Sequence, residues 1–227
     1  MEYTINGTVM QTVEVVLKRG EAMYTESGGM AWMSANVAMK TNAKGGLMAG
    51  LGRKLAGESI FMTTYTCEGD KCFVAFTLEA PGKIIPLELQ AGQVIIAQKD
   101  AFMCAQPSVK LEMHFRKRLG AGFFGGEGFV LQKITGPGIV FLEIPGEVRE
   151  YQLQAGQVMK VDPGHIAAFE PSVQYDIARV KGLTNILFSG EGLFLASLKG
   201  PGHVWLQTMP LANFAAKIAR YLPTPSS

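Results

Sequence analysis

The chain is poor in the residues and segments that mark several common classes of protein. Its 227 residues include only three cysteines, three histidines and two tryptophans. So few cysteines exclude a disulfide-rich secreted scaffold, and a formal net charge of +2 does not favour a nucleic-acid-binding protein. No apolar run reaches the roughly 20 residues that span a membrane. The N-terminus lacks a basic region followed by an apolar run, so we expect a cytoplasmic protein without a secretion signal.

The few cysteines and histidines do not form a recognisable metal or redox pattern. Cys67 and Cys72 are five positions apart, which is not the spacing of a zinc or redox pair. We therefore expect reduced thiols and no disulfide between them. The alternative is a hairpin with its turn at Gly69-Asp70, across which the two cysteines could approach closely. His114, His165 and His203 occupy different places in the pattern described below, and neither a His-x-His pair nor a GxSxG motif occurs. The sequence predicts no metal and no cofactor, and it favours a protein that is not an enzyme.

A repeated phrase is the strongest positive signal in the sequence. "GEGFVLQKITGPGIVFLE" begins at Gly126, and "GEGLFLASLKGPGHVWLQ" begins at Gly190. A more distant copy, "GESIFMTTYTCEGDKCFVAFTLEAPG", begins at Gly57. The Gly-Glu pairs that open the copies are 69 and 64 residues apart. A near-constant period of this kind indicates a repeated structural unit.

A second phrase follows each copy, but its last occurrence lies at the other end of the chain. "LQAGQ" surrounds Gly92 and Gly156, and the related "LKRGE" surrounds Gly20. The third unit is therefore split between the two termini. We predict a single domain, 1–227, of three pseudo-threefold-related repeats: 57–119, 126–182, and 190–209 completed by 13–44. Such an arrangement suits a closed ring, in which the last unit meets the first.

The local pattern predicts an all-β fold of short antiparallel strands. Runs such as "CFVAFTL" and "IVFLEI" are rich in β-branched and aromatic residues and are bounded by glycine or proline. The sequence contains 27 glycines and 11 prolines, which suits many strands joined by tight turns. We interpret Gly136-Pro137-Gly138 and Gly200-Pro201-Gly202 as hairpin turns, and we match Pro81-Gly82 to them.

The C-terminal segment 210–222 departs from the strand pattern. Its apolar residues recur at helical spacing between Pro210 and Pro223, which predicts one amphipathic helix. We expect the helix to cover an open end of the β structure, because apolar helical stripes usually face a core. The alternative is an oligomer contact.

Three glutamates recur at the start of the repeats. Glu58, Glu127 and Glu191 would form a ring in a closed structure, and three carboxylates can hold a cation. The alternative, which we favour, is that each carboxylate accepts hydrogen bonds from backbone N–H groups of the glycine turns or pairs with a Lys or Arg of a neighbouring repeat.

Basic residues also recur, just after the last strand of each unit. Clustered positive charge attracts anionic partners even when the net charge is small. The functional interpretation is a docking face for an anionic membrane surface or an acidic protein, and the alternative is ordinary solvated charge. The positions are Lys40, Lys44, Arg53, Lys54, Arg116, Lys117, Arg118, Arg179 and Lys181.

The repeated Gly-Glu phrase, the "LQAGQ" phrase and the glycine-rich links resemble a known family. It is an uncharacterised bacterial and archaeal family related to the mitochondrial "altered inheritance of mitochondria" biogenesis proteins. The resemblance covers about Val13 to Leu206. It implies a three-repeat all-β fold like that of the tryptophan RNA-binding attenuation protein, a relative of the double-stranded β-helix. It implies no catalytic residues.

These observations favour a non-enzymatic scaffold or binding protein that associates with itself, with a trimer as the expected homo-oligomer. One alternative is a small-molecule sensor or enzyme with a pocket in the β structure. A second is RNA binding, which follows only from the analogy of fold.

Overall fold

The structure is a computed structural model that describes residues 1–26, 28–43, 61–117, 128–179, 194–219 and 221–222. These residues form nineteen β-strands, two single-turn 3-10 helices and one α-helix. The sheets are antiparallel. The predicted all-β class with one C-terminal helix is therefore confirmed.

The strands fall into two compact units whose segments alternate along the chain. The first unit contains Met1–Val94, Asp100–Leu111 and Ile134–Ile144, and the second contains Ile95–Lys99, Glu112–Lys133 and Pro145–Ser227. We assign each strand to the unit that holds most of its residues.

The first unit is built from a four-stranded and a six-stranded sheet. The four-stranded sheet has the order β1-β2-β7-β4, with strands Glu2–Asn6, Thr12–Lys18, Lys71–Thr77 and Met30–Met33. The six-stranded sheet has the order β5-β6-β3-β10-β13-β8, with strands Val37–Ala43, Phe61–Cys67, Ala22–Glu26, Phe102–Ala105, Gly138–Pro145 and Gly82–Leu89.

The second unit is built from a six-stranded and a three-stranded sheet. The six-stranded sheet has the order β11-β12-β9-β16-β19-β14, with strands Lys110–Lys117, Phe129–Thr135, Val94–Gln98, Ile166–Phe169, Gly202–Gln207 and Val148–Leu153. The three-stranded sheet has the order β15-β18-β17, with strands Val158–Val161, Phe194–Lys199 and Gln174–Arg179. The helix α1, Leu211–Ala219, follows the last strand.

Strand β2 shows how alternation places one face of a strand in the core. Val13, Val15 and Leu17 are fully buried, whereas the intervening residues are partly exposed. Side chains of a strand point alternately to its two faces, so the three apolar residues share one face. Val13 lies opposite Phe76 and Val15 opposite Val74 in the antiparallel partner β7. Each such buried side chain stabilises the fold by about 1.5–3 kcal/mol.

The core of the first unit lies between its two sheets. Buried residues of β2 and β7 belong to the same cluster as Phe141 of β13 and Tyr65 of β6. The ring of Tyr3 on β1 also meets Phe141 edge-on, with ring centroids 5.0 Å apart. The outer strand β1 therefore contributes an aromatic side chain to the contact between the sheets.

Three related turns require a left-handed residue. Gly20, Gly92 and Gly156 have φ values of 82°, 77° and 79°. Glycine adopts this conformation without the steric cost that a Cβ atom imposes. In each turn the side chain of the next residue accepts a hydrogen bond from the backbone N–H three positions before it. The donors and acceptors are Lys18 N and Glu21 Oε2 (2.8 Å), Gln90 N and Gln93 Oε1 (2.9 Å), and Gln154 N and Gln157 Oε1 (2.9 Å).

The Gly-Pro-Gly segments do not form hairpin turns. Gly136–Gly138 links β12 to β13, and Gly200–Gly202 links β18 to β19, and in both cases the two strands lie in different sheets. The segment that joins β6 to β7 is Glu68–Asp70, so the match of Pro81-Gly82 to Gly-Pro-Gly is also wrong. A turn signal locates the end of a strand, but it does not identify the strand's hydrogen-bonding partner.

The expectation of reduced thiols is wrong for one pair of cysteines. Cys67 at the end of β6 and Cys72 near the start of β7 form a disulfide with a Cα–Cα distance of 5.6 Å. Both are buried, while Cys104 is a buried free cysteine. The connection Glu68–Asp70 reverses the chain between sheets and so brings the two side chains together. Sequence spacing alone did not reveal this reversal.

The helix α1 is shorter than predicted and does not act as a lid. It contains Leu211–Ala219, and none of its side chains is buried. A lid would bury its apolar face against the strands below it. The lid interpretation is therefore wrong, because helical periodicity predicts an apolar face without specifying what covers it.

Candidate functional site

The predicted basic residues that the structure describes lie on terminal strands of three sheets. Lys40 is an exposed residue of β5, Arg116 and Lys117 belong to β11, and Arg179 belongs to β17. β5, β11 and β17 each end the strand order of their sheet. Lys44, Arg53, Lys54, Arg118 and Lys181 lie outside the described residues.

The three repeated glutamates cannot be assigned a place. Glu58, Glu127 and Glu191 all lie outside the described residues, as do both glycine-rich links that precede the first two. Their interpretation as a cation site or as turn caps stays a prediction.

An aromatic surface lies on the four-stranded sheet, on the face opposite the core. Val16 alternates with the buried residues of β2, and Phe73 lies directly opposite it on β7. Trp32 of β4 lies opposite Ala75 on the same face. Trp32 and Phe73 remain 46% and 39% exposed. We call Trp32, Phe73 and Val16 the aromatic face.

The indole of Trp32 lies across the sheet rather than pointing into solvent. Its Nε1 donates to Oε2 of Glu14, 3.4 Å away on β2. The strand β7 separates β4 from β2, and Ala75 is its residue between Trp32 and Glu14. Ala75 is fully buried. Its small side chain leaves room for the indole ring to lie over it. The aromatic face is therefore held in place by one polar contact.

An open cleft of about 620 Å³ adjoins this face. It is lined by Met1, Glu2, Val16, Lys18, Glu21, Asp70 and Lys71. Lys71 lies opposite Lys18, and its Nζ is 4.0 Å from Oε2 of Glu2. The cleft carries charges of both signs, so its electrostatics do not select a strongly charged ligand.

A partly buried carboxyl group lies in the six-stranded sheet of the first unit. Oε2 of Glu143 on β13 accepts a hydrogen bond from the backbone N–H of Glu79 at 3.2 Å. Burial raises the pKa of Glu143 to about 8, and the nearby acids Glu79, Asp100 and Glu26 add to the shift. The carboxyl group is therefore largely protonated at neutral pH. Burial also raises the pKa of the Cys104 thiol, with a further contribution from Glu143.

A histidine–glutamate pair lies in the second unit. Nε2 of His203 on β19 is 3.0 Å from Oε2 of Glu150 on β14, and its ring stacks on Trp205 with a centroid distance of 4.2 Å. The backbone N–H of His203 donates to Oε2 of Glu170 at 2.9 Å. The pair joins residues 53 positions apart, a distance at which sequence spacing offers no signal. The contact with Glu150 fixes the orientation of the imidazole ring of His203.

Across the described part of the chain, no group of three or more His, Cys, Asp or Glu side chains is arranged to hold a metal ion. None of the helices in that same part has the length and apolar character needed to cross a membrane.

A family model described as mitochondrial biogenesis AIM24 matches residues 3–209. The chain belongs to the AIM24 family. The match begins within β1, includes β19 and stops before α1. The family assignment expected from the repeated phrases is confirmed.

Two streptococcal proteins resemble this AIM24-family chain along nearly its whole length. The uncharacterized protein M6_Spy0233 of Streptococcus pyogenes serotype M6 is 31% identical over 236 residues, which cover 100% of this chain and 93% of the relative. The crystal structure of protein SPYM3_0169 from Streptococcus pyogenes matches with a TM-score of 0.78 at 28% identity, covering 97% of this chain and 99% of that chain. The described architecture is thus similar to one determined by crystallography.

Proposed function

We propose that this protein is a self-associating β scaffold, built from three repeats, that docks to an anionic surface. The observation that carries self-association is the aromatic face on the four-stranded sheet. Comparison with the other repeats shows where this face departs from the rest of the fold.

Strand order supports the proposed repeats. In the two six-stranded sheets, strands from corresponding places in the repeats occupy corresponding positions in the strand order. β8, β13 and β10 end one sheet as β14, β19 and β16 end the other. The three strands β2, β7 and β4 of the four-stranded sheet have the same mutual order.

An irregularity at one strand pair also supports the repeats. In each of three pairings the register shifts by one residue, as in a β-bulge. The shifts fall between Met30 and Trp32, between Phe102 and Cys104, and between Ile166 and Ala168. Bulges are designed features of a fold, so three in corresponding places indicate a common unit.

A side-chain hydrogen bond accompanies each bulge. A polar residue that follows the bulged strand accepts a hydrogen bond from a backbone N–H of the neighbouring strand. The acceptors and donors are Ser34 Oγ and Phe73 N (2.9 Å), Gln106 Oε1 and Ile139 N (2.8 Å), and Glu170 Oε2 and His203 N (2.9 Å). This recurring geometry is the detail that we propose as pseudo-threefold, in a fold like that of the tryptophan RNA-binding attenuation protein.

Trp32 differs in size and exposure from the residues at the corresponding positions of the other two repeats. Its counterparts at the bulge, Cys104 and Ala168, are small and fully buried. Trp32 is large and 46% exposed, and Phe73 beside it is 39% exposed. Exposed aromatic residues grouped on one face mark interaction sites, and Trp is enriched among residues that dominate binding. We assign this face to contact with a second copy of the chain.

The test is the mass in solution of the wild type and of a double variant. Light scattering during size-exclusion chromatography should give a multiple of 24.5 kDa for the wild type, with a trimer as the expected state. Trp32→Gln with Phe73→Thr should give the monomer mass without a large change in melting temperature. Met113→Thr is the control, because Met113 is 41% exposed but lies on β11. A monomeric wild type at micromolar concentration refutes self-association.

The alternative of a small-molecule-binding protein has one observation in its favour. The cleft beside the aromatic face has a volume of about 620 Å³, within the range of roughly 300–1,000 Å³ typical of ligand pockets. Native mass spectrometry of protein purified without added ligand distinguishes this alternative, since a bound small molecule adds its mass to each subunit.

A further inference from the structure

The helix α1 presents its apolar side chains to solvent. It begins after Pro210, whose carbonyl accepts a hydrogen bond from the Phe214 N–H at 3.1 Å. It ends in a turn in which the N–H of Tyr221 donates to the Ile218 carbonyl at 2.9 Å. Seven of its nine residues, LANFAAKIA, are apolar, and none of the nine is buried. The fold therefore does not account for this composition.

The exposed apolar side chains lie on one face. Phe214 and Ile218 are four residues apart, which places them one above the other on a helix. Each is 43% exposed, and Leu222 beyond the helix is 61% exposed. Leu211 and Ala215 continue the same stripe at intervals of three and four residues. We call Leu211, Phe214, Ala215 and Ile218 the helix stripe.

The charged side chains of the C-terminal part of the chain are all basic. No aspartate or glutamate occurs after Glu191, whereas Lys199, Lys217 and Arg220 follow it. Lys217 is an exposed residue of α1 itself. An apolar stripe on a helix whose own charged residue is basic complements a surface that is apolar inside and anionic outside, which is the boundary of an anionic phospholipid bilayer.

The size of the stripe argues against a second copy as its occupant. A nine-residue helix is about 14 Å long and about 10 Å wide, so its projected face covers roughly 140 Å². A stable interface between proteins buries about 800 Å² on each partner. A shallow position in a bilayer needs no such area, since each partly inserted apolar side chain contributes by itself and basic residues add attraction to anionic lipids.

We propose that α1 docks on an anionic phospholipid surface, with Phe214 and Ile218 inserted at the headgroup boundary and Lys217 facing the headgroups. This inference rests on the proposed docking function and names the element and the surface involved. The small size of the stripe makes binding by one helix weak and reversible. Several copies on one oligomer would strengthen it by multivalency.

The experiment is co-sedimentation of the full chain with vesicles of phosphatidylcholine alone or mixed with phosphatidylserine. Wild-type protein should bind the mixed vesicles and bind pure phosphatidylcholine much less. It should lose most of its binding when the salt is raised well above 0.15 M, the concentration at which the Debye length is about 8 Å. Phe214→Ser with Ile218→Ser should weaken binding at least about tenfold. Lys217→Glu should weaken it by about tenfold or less. Asn213→Ser is the control, since Asn213 is exposed and polar.

Outcomes separate this inference from the proposed scaffold. If the Phe214/Ile218 variant binds vesicles like the wild type, or if the wild type binds neither kind of vesicle, the lipid inference is wrong. If the same variant loses its oligomeric mass, the stripe is a contact between copies and the inference is also wrong. An unchanged mass with lost vesicle binding supports it. Self-association is tested independently by the Trp32/Phe73 variant.

Discussion

The carboxyl group of Glu143 should make the protein less stable as the pH rises through neutrality. In the folded chain its pKa is raised from 4.5 to about 8, first by burial and then by neighbouring acids. In the unfolded chain it titrates near its ordinary value. Between those two pH values the folded state holds one more proton than the unfolded state. Raising the pH therefore favours unfolding.

The magnitude follows from the size of the shift. Each unit of pKa difference corresponds to about 1.4 kcal/mol, so the contribution lost between pH 5 and pH 7 is roughly 2.5 kcal/mol. For a chain of 227 residues, a change of this size lowers the melting temperature by roughly 5–10 °C. The loss is complete only above the folded pKa of about 8.

The assay compares wild type with Glu143→Gln by thermal unfolding at several pH values between 5 and 9. Glutamine keeps the shape and a carbonyl that can accept from the Glu79 N–H, but it does not titrate. The difference between the two melting temperatures should grow in favour of the variant as the pH rises. Subtracting one curve from the other removes the titration of all shared groups.

The control is Glu88→Gln, which changes an exposed glutamate on β8 of the same sheet. It should keep the wild-type dependence on pH. If Glu143→Gln has the same dependence as the wild type, Glu143 is ionised in the folded protein at neutral pH and the reasoning fails.

Two further predictions concern the disulfide and the repeated turns. Thiol titration of oxidised, denatured protein should find one thiol, that of Cys104, whereas three thiols would contradict the pairing. Replacing both Cys67 and Cys72 by serine should lower the free energy of unfolding by about 2 kcal/mol, as expected for opening so short a loop. Gly92→Ala should destabilise by about 1–2 kcal/mol because no Cβ is tolerated cheaply at positive φ, and Gly92→Asn by less. The φ of Gly156 is 79°, and no atom lies within 4 Å of an added Cβ at Gly92 or Gly156. Gly156→Ala should therefore lower the free energy of unfolding by the same amount as Gly92→Ala. Clearly different losses in the two variants would argue against equivalent turns.

Features of this fold that depend on neighbouring residues are visible in the sequence. The alternation of Val13, Val15 and Leu17 predicts a strand with one buried face, and the structure buries all three. The repeated "LQAGQ" phrase also marked Gly92 and Gly156, which the structure places at positive φ. These features depend on neighbours a few residues apart, which a linear sequence displays directly.

The candidate site depended on contacts that the sequence does not display. Trp32 is notable only because β4 lies beside β7, where it covers Ala75 and reaches Glu14 on the next strand. Glu143 resembles any strand glutamate until the surrounding acids and apolar groups are assembled around it. The basic positions were found from the sequence, but most of their side chains lie outside the described residues and their role stays a prediction.

The sequence by itself determined the all-β class, the family and the existence of an amphipathic C-terminal helix, because each follows from local periodicity or repetition. Tertiary structure alone decided that the strands on either side of Gly136-Pro137-Gly138 enter different sheets, that Cys67 meets Cys72, and that no residue of α1 is buried. Strand pairing and burial are relations between distant segments, and they are selected by how whole apolar faces fit together.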